Sequence, residues 1–133
     1  MESLLPLLLL ISITSVIGLT LRVKKGVIKK GSRLKISELE FGGKYGSRLT
    51  ILQFSTTFCS ECRTAKSIVK DVVKDSKDIT YVEVDAESNL DLVRRVDIRS
   101  TPTTIFLDSK GFEIARAKGA PKRDQLIKAI KAI

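Results

Sequence analysis

An α/β domain with a central mixed β-sheet and helices on its faces, preceded by one N-terminal transmembrane helix, is the architecture the sequence predicts. Three observations predict it. Residues 3–21, SLLPLLLLISITSVIGLTL, carry no charged side chain. From about Leu34 onward, apolar runs of strand length alternate with stretches of helical periodicity. Near the end, two strand-like runs flank the turn signal SKG, as in a β-hairpin.

The apolar run is 19 residues long, enough as a helix rising about 1.5 Å per residue to cross roughly 30 Å of hydrocarbon. Pro6 falls in its first turn, where a missing N–H costs little. A cleaved signal peptide requires a basic start and an A-x-A-like site, whereas the chain opens Met1-Glu2 and shows no such site. A buried core helix shows polar positions on one face, and here none is charged. Residues 1–21 are therefore expected to be a retained single-pass anchor, meeting the lipid bilayer through residues 3–21. Arg22, Lys24, Lys25, Lys29, Lys30, Arg33 and Lys35 follow before the first acid, Glu38. Lys and Arg gather on the cytoplasmic flank of a membrane helix, so the domain is expected in the cytoplasm of the cell. An extracytoplasmic domain is the alternative, because long domains can translocate against the charge rule.

The net charge of +9 suggests nucleic acid until it is divided along the chain. Residues 38–133 hold 17 basic and 14 acidic side chains, so the excess lies in the juxtamembrane run. There it reads as a stop-transfer signal and a contact for anionic headgroups, not as a nucleic-acid footprint. Residues 22–36 are expected to be a basic linker and residues 37–133 the folded domain.

Within the domain, Ser37–Phe41 suggests a short entry helix, and Leu49–Ser55 a strand buried on both faces. Ala65, Ile68, Val69, Val72 and Val73 form one apolar helical stripe. Ile79–Asp85 alternates as a strand, and Ser88 with Asp91 suggests a capping box for a small helix through Leu90, Val93 and Val96. Thr103–Asp108 and Phe112–Lys118 form the hairpin. Gly119 then breaks the strand and Pro121 is placed to start a helix with Leu126, Ile130 and Ile133 on its buried stripe.

The only two cysteines, Cys59 and Cys62, lie in FSTTFCSECRTAK where the Leu49–Ser55 strand meets the helix of the Ala65–Val73 stripe. At a helix N-terminus, residues three apart share a face, so the sulfurs can bond. Free N–H groups and the helix dipole stabilise a thiolate at Cys59, which makes it the nucleophile and Cys62 the resolving thiol. A tetrahedral zinc site needs four ligands, and the chain offers two Cys and no His. Covalent haem needs C-x-x-C-H, but Arg63 follows Cys62. A purely structural link across so short a loop stabilises little. A redox pair is the reading that uses the strand-to-helix placement, and it requires no cofactor in the domain.

FSTTFCSECRTAK, YVEVDAES, VDIRSTPTTIFLDSKG and AKGAPKRDQLIKAI, in that order and spacing, resemble the thioredoxin family over residues 47–133, in the manner of a membrane-anchored bacterial member. The resemblance implies a thioredoxin fold and thiol–disulfide oxidoreductase activity. It implies a cis Thr101-Pro102 bond beside the disulfide, a substrate that pairs with the Thr101 backbone, and a groove lined by Phe58 and Gly119. Its partners would be protein disulfide substrates and a thiol reductase or other thiol electron donor. Anchored relatives outside the cytoplasm act in cytochrome maturation, and a thioredoxin-fold binding module with little turnover is a further reading.

The chain also departs from the family. Phe58-Cys59-Ser60-Glu61-Cys62 stands where Trp-Cys-Gly-Pro-Cys is typical. The family's buried Asp and its Lys partner fall on Gln53 and Tyr81. Because Gln takes no proton, deprotonation of Cys62 falls to water or to Glu61, and Glu61 is the expected proton-transfer group.

Overall fold

The computed structural model describes residues 4–133. Helix α1 (Leu4–Lys24) is long and apolar enough to cross a membrane, and none of its residues is buried against the domain. Strands β1 (Ile28–Lys30), β2 (Leu49–Ser55), β3 (Ile79–Asp85), β4 (Thr103–Asp108) and β5 (Glu113–Lys118) form one sheet in the order β1-β5-β4-β2-β3. Only β2 and β3 run parallel; the other neighbours are antiparallel, so the sheet is mixed.

Helices α2 (Glu38–Phe41), α3 (Ser60–Val73), α4 (Leu90–Arg95) and α5 (Arg123–Ala132) complete the domain. The pleat of β2 explains the two layers. Leu52 and Phe54 join Phe41, Leu92, Val96 and Ile105 on one face, while Leu49 and Ile51 meet Val69, Val73, Leu126 and Ile130 on the other. Successive side chains along β2 therefore enter different cores, and the strand is buried throughout. The same alternation puts Gln53 and Ser55 on the α3 side.

Residues 28–36 depart from the expected linker. Ile28, Lys29 and Lys30 pair with Ala117, Arg116 and Ala115. The Gly31 and Arg33 N–H groups donate to Ile114 and Glu113, and Ile36, fully buried, donates its N–H to the Gly111 carbonyl at 2.9 Å. Buried Glu113 accepts from Arg116 Nε at 2.6 Å and Nη2 at 3.0 Å, and from the Ser32 hydroxyl. The lysines point outward because β1 is an edge strand, where exposed charge discourages pairing with another chain.

Two smaller expectations also change. Asn89, not Ser88, precedes α4, because the Ser88 hydroxyl donates to Asp85 instead at 2.7 Å. Helix α5 starts two residues after Pro121, and Ile133 lies exposed beyond its end while Leu126 and Ile130 are buried as expected.

Candidate active site

Strand β2 delivers the chain through Thr56, Thr57 and Phe58 to Cys59, the N-cap of α3. Cys59 has extended backbone angles, φ −117° and ψ 102°, and its Sγ accepts from the Cys62 N–H at 3.1 Å. The sulfur thus occupies the position a capping oxygen takes at other helices, facing the unpaired N–H groups of the first turn. Cys59 and Cys62 are disulfide-bonded with their Cα atoms 5.2 Å apart. Cys62 is 3% exposed, whereas Cys59 is partly open to solvent.

Beneath the pair, Gln53 is fully buried and fully used. Its amide donates to the Cys62 carbonyl at 2.9 Å and to Ser55 Oγ at 3.0 Å, and its carbonyl accepts from the Tyr81 hydroxyl at 3.0 Å. Burial first, then the negative charge of Glu83, push the Tyr81 phenol well above its ordinary value. Tyr81 therefore stays a neutral donor, and Gln53 a neutral strut under the Cys62 carbonyl. The two family departures read separately in the sequence are thus one hydrogen-bonded unit.

The charged groups near the pair fall into two clusters. Glu61 turns to Lys25, 3.4 Å away and 36 residues upstream, and lines a hollow with Thr101 and Gly119. The cavity that holds Cys59 and Cys62, about 170 Å³, is lined instead by Glu83 and Lys66, which pair at 3.2 Å. Sequence reasoning missed Glu83. The available signal was its spacing: Glu83 follows Tyr81 by two on β3 and so shares its face.

The Thr101-Pro102 peptide is cis, as the resemblance implies. Thr101 Oγ1 lies 3.4 Å from Thr56 Oγ1, and Thr56 lines the disulfide cavity, so this loop abuts the site. The Pro102 carbonyl accepts from the Gly119 N–H at 2.8 Å, which brings the start of the segment after β5 to the same place. Phe58 is 98% exposed and covers nothing in the protein. The expected site residues Cys59, Cys62, Thr101, Pro102 and Gly119 therefore gather at one end of the sheet, with Phe58 at its rim.

The thioredoxin family model matches residues 37–132. The chain belongs to the thioredoxin family. Thioredoxin H2-1 of Oryza sativa subsp. japonica is 26% identical over 110 residues, covering 83% of this chain and 78% of that one. A thioredoxin of Ophiophagus hannah is 28% identical over 65% of this chain and 80% of its own. Among solved structures, that of thioredoxin-2, described as a component of malaria parasite protein secretion machinery, superposes with a TM-score of 0.59 at 28% identity, over 65% of this chain and 84% of that one. The fold is the thioredoxin fold, and the Cys59–Cys62 pair within it makes this family member a thiol–disulfide oxidoreductase.

Proposed function

We propose that this thioredoxin-family protein is a membrane-tethered reductase or exchanger of protein disulfides, with its domain on the cytoplasmic side. The carrying observation is the asymmetry of the pair: Cys59 is partly exposed at the N-cap of α3, and Cys62 is buried behind it. In the reduced protein the Cys59 thiolate attacks one sulfur of a substrate disulfide lying against Thr101 and Pro102. A Cys59–substrate disulfide forms, and the departing substrate thiolate takes up a proton. Cys62 then loses its proton and attacks Cys59 Sγ, which releases the second substrate thiol and leaves the Cys59–Cys62 disulfide. Two electrons pass to the substrate, and a dithiol donor protein returns them.

A buried thiol gives up its proton reluctantly, so the second attack benefits from a base. Glu83, on the cavity that holds Cys62 and paired with Lys66, is the carboxylate placed for it; Tyr81 and Gln53 are neutral donors and acceptors only. The expected result is that Glu83→Gln slows mixed-disulfide resolution about tenfold near neutral pH and that the loss fades as rising pH ionises Cys62 directly. Glu61→Gln leaves the profile unchanged. Stopped-flow single turnovers across pH check this, and a profile moved by Glu61→Gln alone would return the role to Glu61.

Support for the tether is α1, 21 residues long and without a charged side chain before Arg22, followed by the basic run. A membrane-impermeant maleimide applied to intact, reductant-treated cells is expected to leave Cys59 unlabelled until the membrane is opened. Labelling of Cys59 in intact cells would place the domain outside, and recovery of the chain in the soluble fraction would remove the tether.

A further inference from the structure

The end of α1 does not hang free of the domain. Gly26 is buried, its N–H donates to the Lys118 carbonyl at 2.6 Å, and its φ is +75°. A Cβ built on Gly26 would stand 2.2 Å from the Ala120 carbonyl oxygen, so only glycine lets the chain lie this close. Immediately before it, Lys25 reaches Glu61 of the Cys59-Ser-Glu-Cys62 segment, and the Lys25 side chain also passes Gly119, whose built Cβ would sit 3.5 Å from Lys25 Cβ.

These contacts enclose a hollow of about 410 Å³ beside the active site. One wall is Thr101 and Gly119, together with Glu61. Leu21 and Lys24, from the last turn of the apolar helix, and Lys25, just beyond its end, line the hollow as well. Lys118 lines it too. Glu61 is the one acid there and is already paired with Lys25, while Lys24 and Lys118 have no ion-pair partner among the described residues. Leu21 ends the membrane-spanning run, so the hollow lies at the level of the lipid headgroups.

We propose that α1 supplies the second wall of the substrate groove, and that this groove receives an acidic segment flanking a disulfide in a protein held at the same membrane surface. The inference rests on thiol–disulfide exchange at Cys59 and on the tether proposed above. The charge of the rim favours an acidic chain over a basic one. The occupant is a polypeptide because it must carry its sulfurs past Thr101 to Cys59. Position adds to charge: a substrate confined to the same bilayer meets the groove at a high effective concentration, whereas a free one does not.

The test uses the reduced full-length chain in phosphatidylcholine vesicles. Three disulfide peptides are offered: one with acidic flanks and a membrane anchor, one with basic flanks and the same anchor, and the acidic one without an anchor. Single-turnover reduction of the anchored acidic peptide is expected to be about tenfold faster than that of the anchored basic one, and faster than that of the free acidic peptide. In the double variant Lys24→Glu, Lys118→Glu, the acidic-to-basic ratio is expected to fall to about one or below. Equal rates for the two anchored peptides, or a ratio that the double variant leaves in place, overturn the proposal. Loss of the preference in phosphatidylserine-rich vesicles also overturns it, because lipid headgroups would then be the occupant. A small aromatic disulfide reagent distinguishes loss of the groove preference from loss of exchange: failure of wild type to reduce even that overturns thiol–disulfide exchange at Cys59.

Discussion

Cys59→Ser brings reduction of a protein disulfide down to the uncatalysed background, while Cys62→Ser completes the first exchange and stops there. The difference follows from position. Cys59 Sγ is the sulfur that accepts the Cys62 N–H at the start of α3, and Cys59 is partly open to solvent; a hydroxyl in its place cannot form the mixed disulfide. Cys62 is buried, so it does not meet the substrate first. Both variants are expected to fold, since a bridge across three residues contributes little to stability. Steady-state turnover with a dithiol donor, alongside a single-turnover trace of substrate thiol release, checks the pair. Burst release of one thiol by Cys59→Ser would reverse the assignment.

Ile36→Ala is expected to cost about 2–5 kcal/mol of domain stability, the usual range for emptying a fully buried branched site. Ile36 is 0% exposed and packs in the core with Phe41, Leu52, Phe54 and Leu107. Its N–H is bonded to Gly111, and its carbonyl accepts from the Tyr45 hydroxyl at 2.6 Å. A residue in a solvated linker would change stability by less than about 0.5 kcal/mol. Urea unfolding of the full chain in detergent, followed by tyrosine fluorescence, distinguishes the two. A shift in that lower range would return residues 28–36 to the linker.

That segment shows where sequence reasoning loses its grip. β2, β3 and the β4–β5 hairpin were legible because their apolar patterns are local, and the bounds of β2 and β3 match the structure to the residue. β1 is three residues long and two of them are lysines, so on its own it looks the same as the charged flank of a membrane helix. What makes it a strand is pairing with β5, more than 80 residues away, and no local pattern carries that information. The cysteine pair was legible from spacing and placement. The charges around it were not, because Lys25 reaches Glu61 from 36 residues upstream and Glu83 reaches the disulfide cavity from a neighbouring strand. Phe58 is expected to line the groove, and nothing in the sequence shows how far the loop presents it to solvent.

Trapping the covalent intermediate is the decisive experiment on disulfide exchange at Cys59. The full-length Cys62→Ser variant, expressed in membranes and reacted with thiol-blocking reagent on lysis, should migrate as reductant-sensitive adducts with other proteins, linked through Cys59. The same preparation from Cys59→Ser should show none. Absence of adducts from Cys62→Ser, or equal adducts from both variants, would contradict disulfide exchange initiated at Cys59.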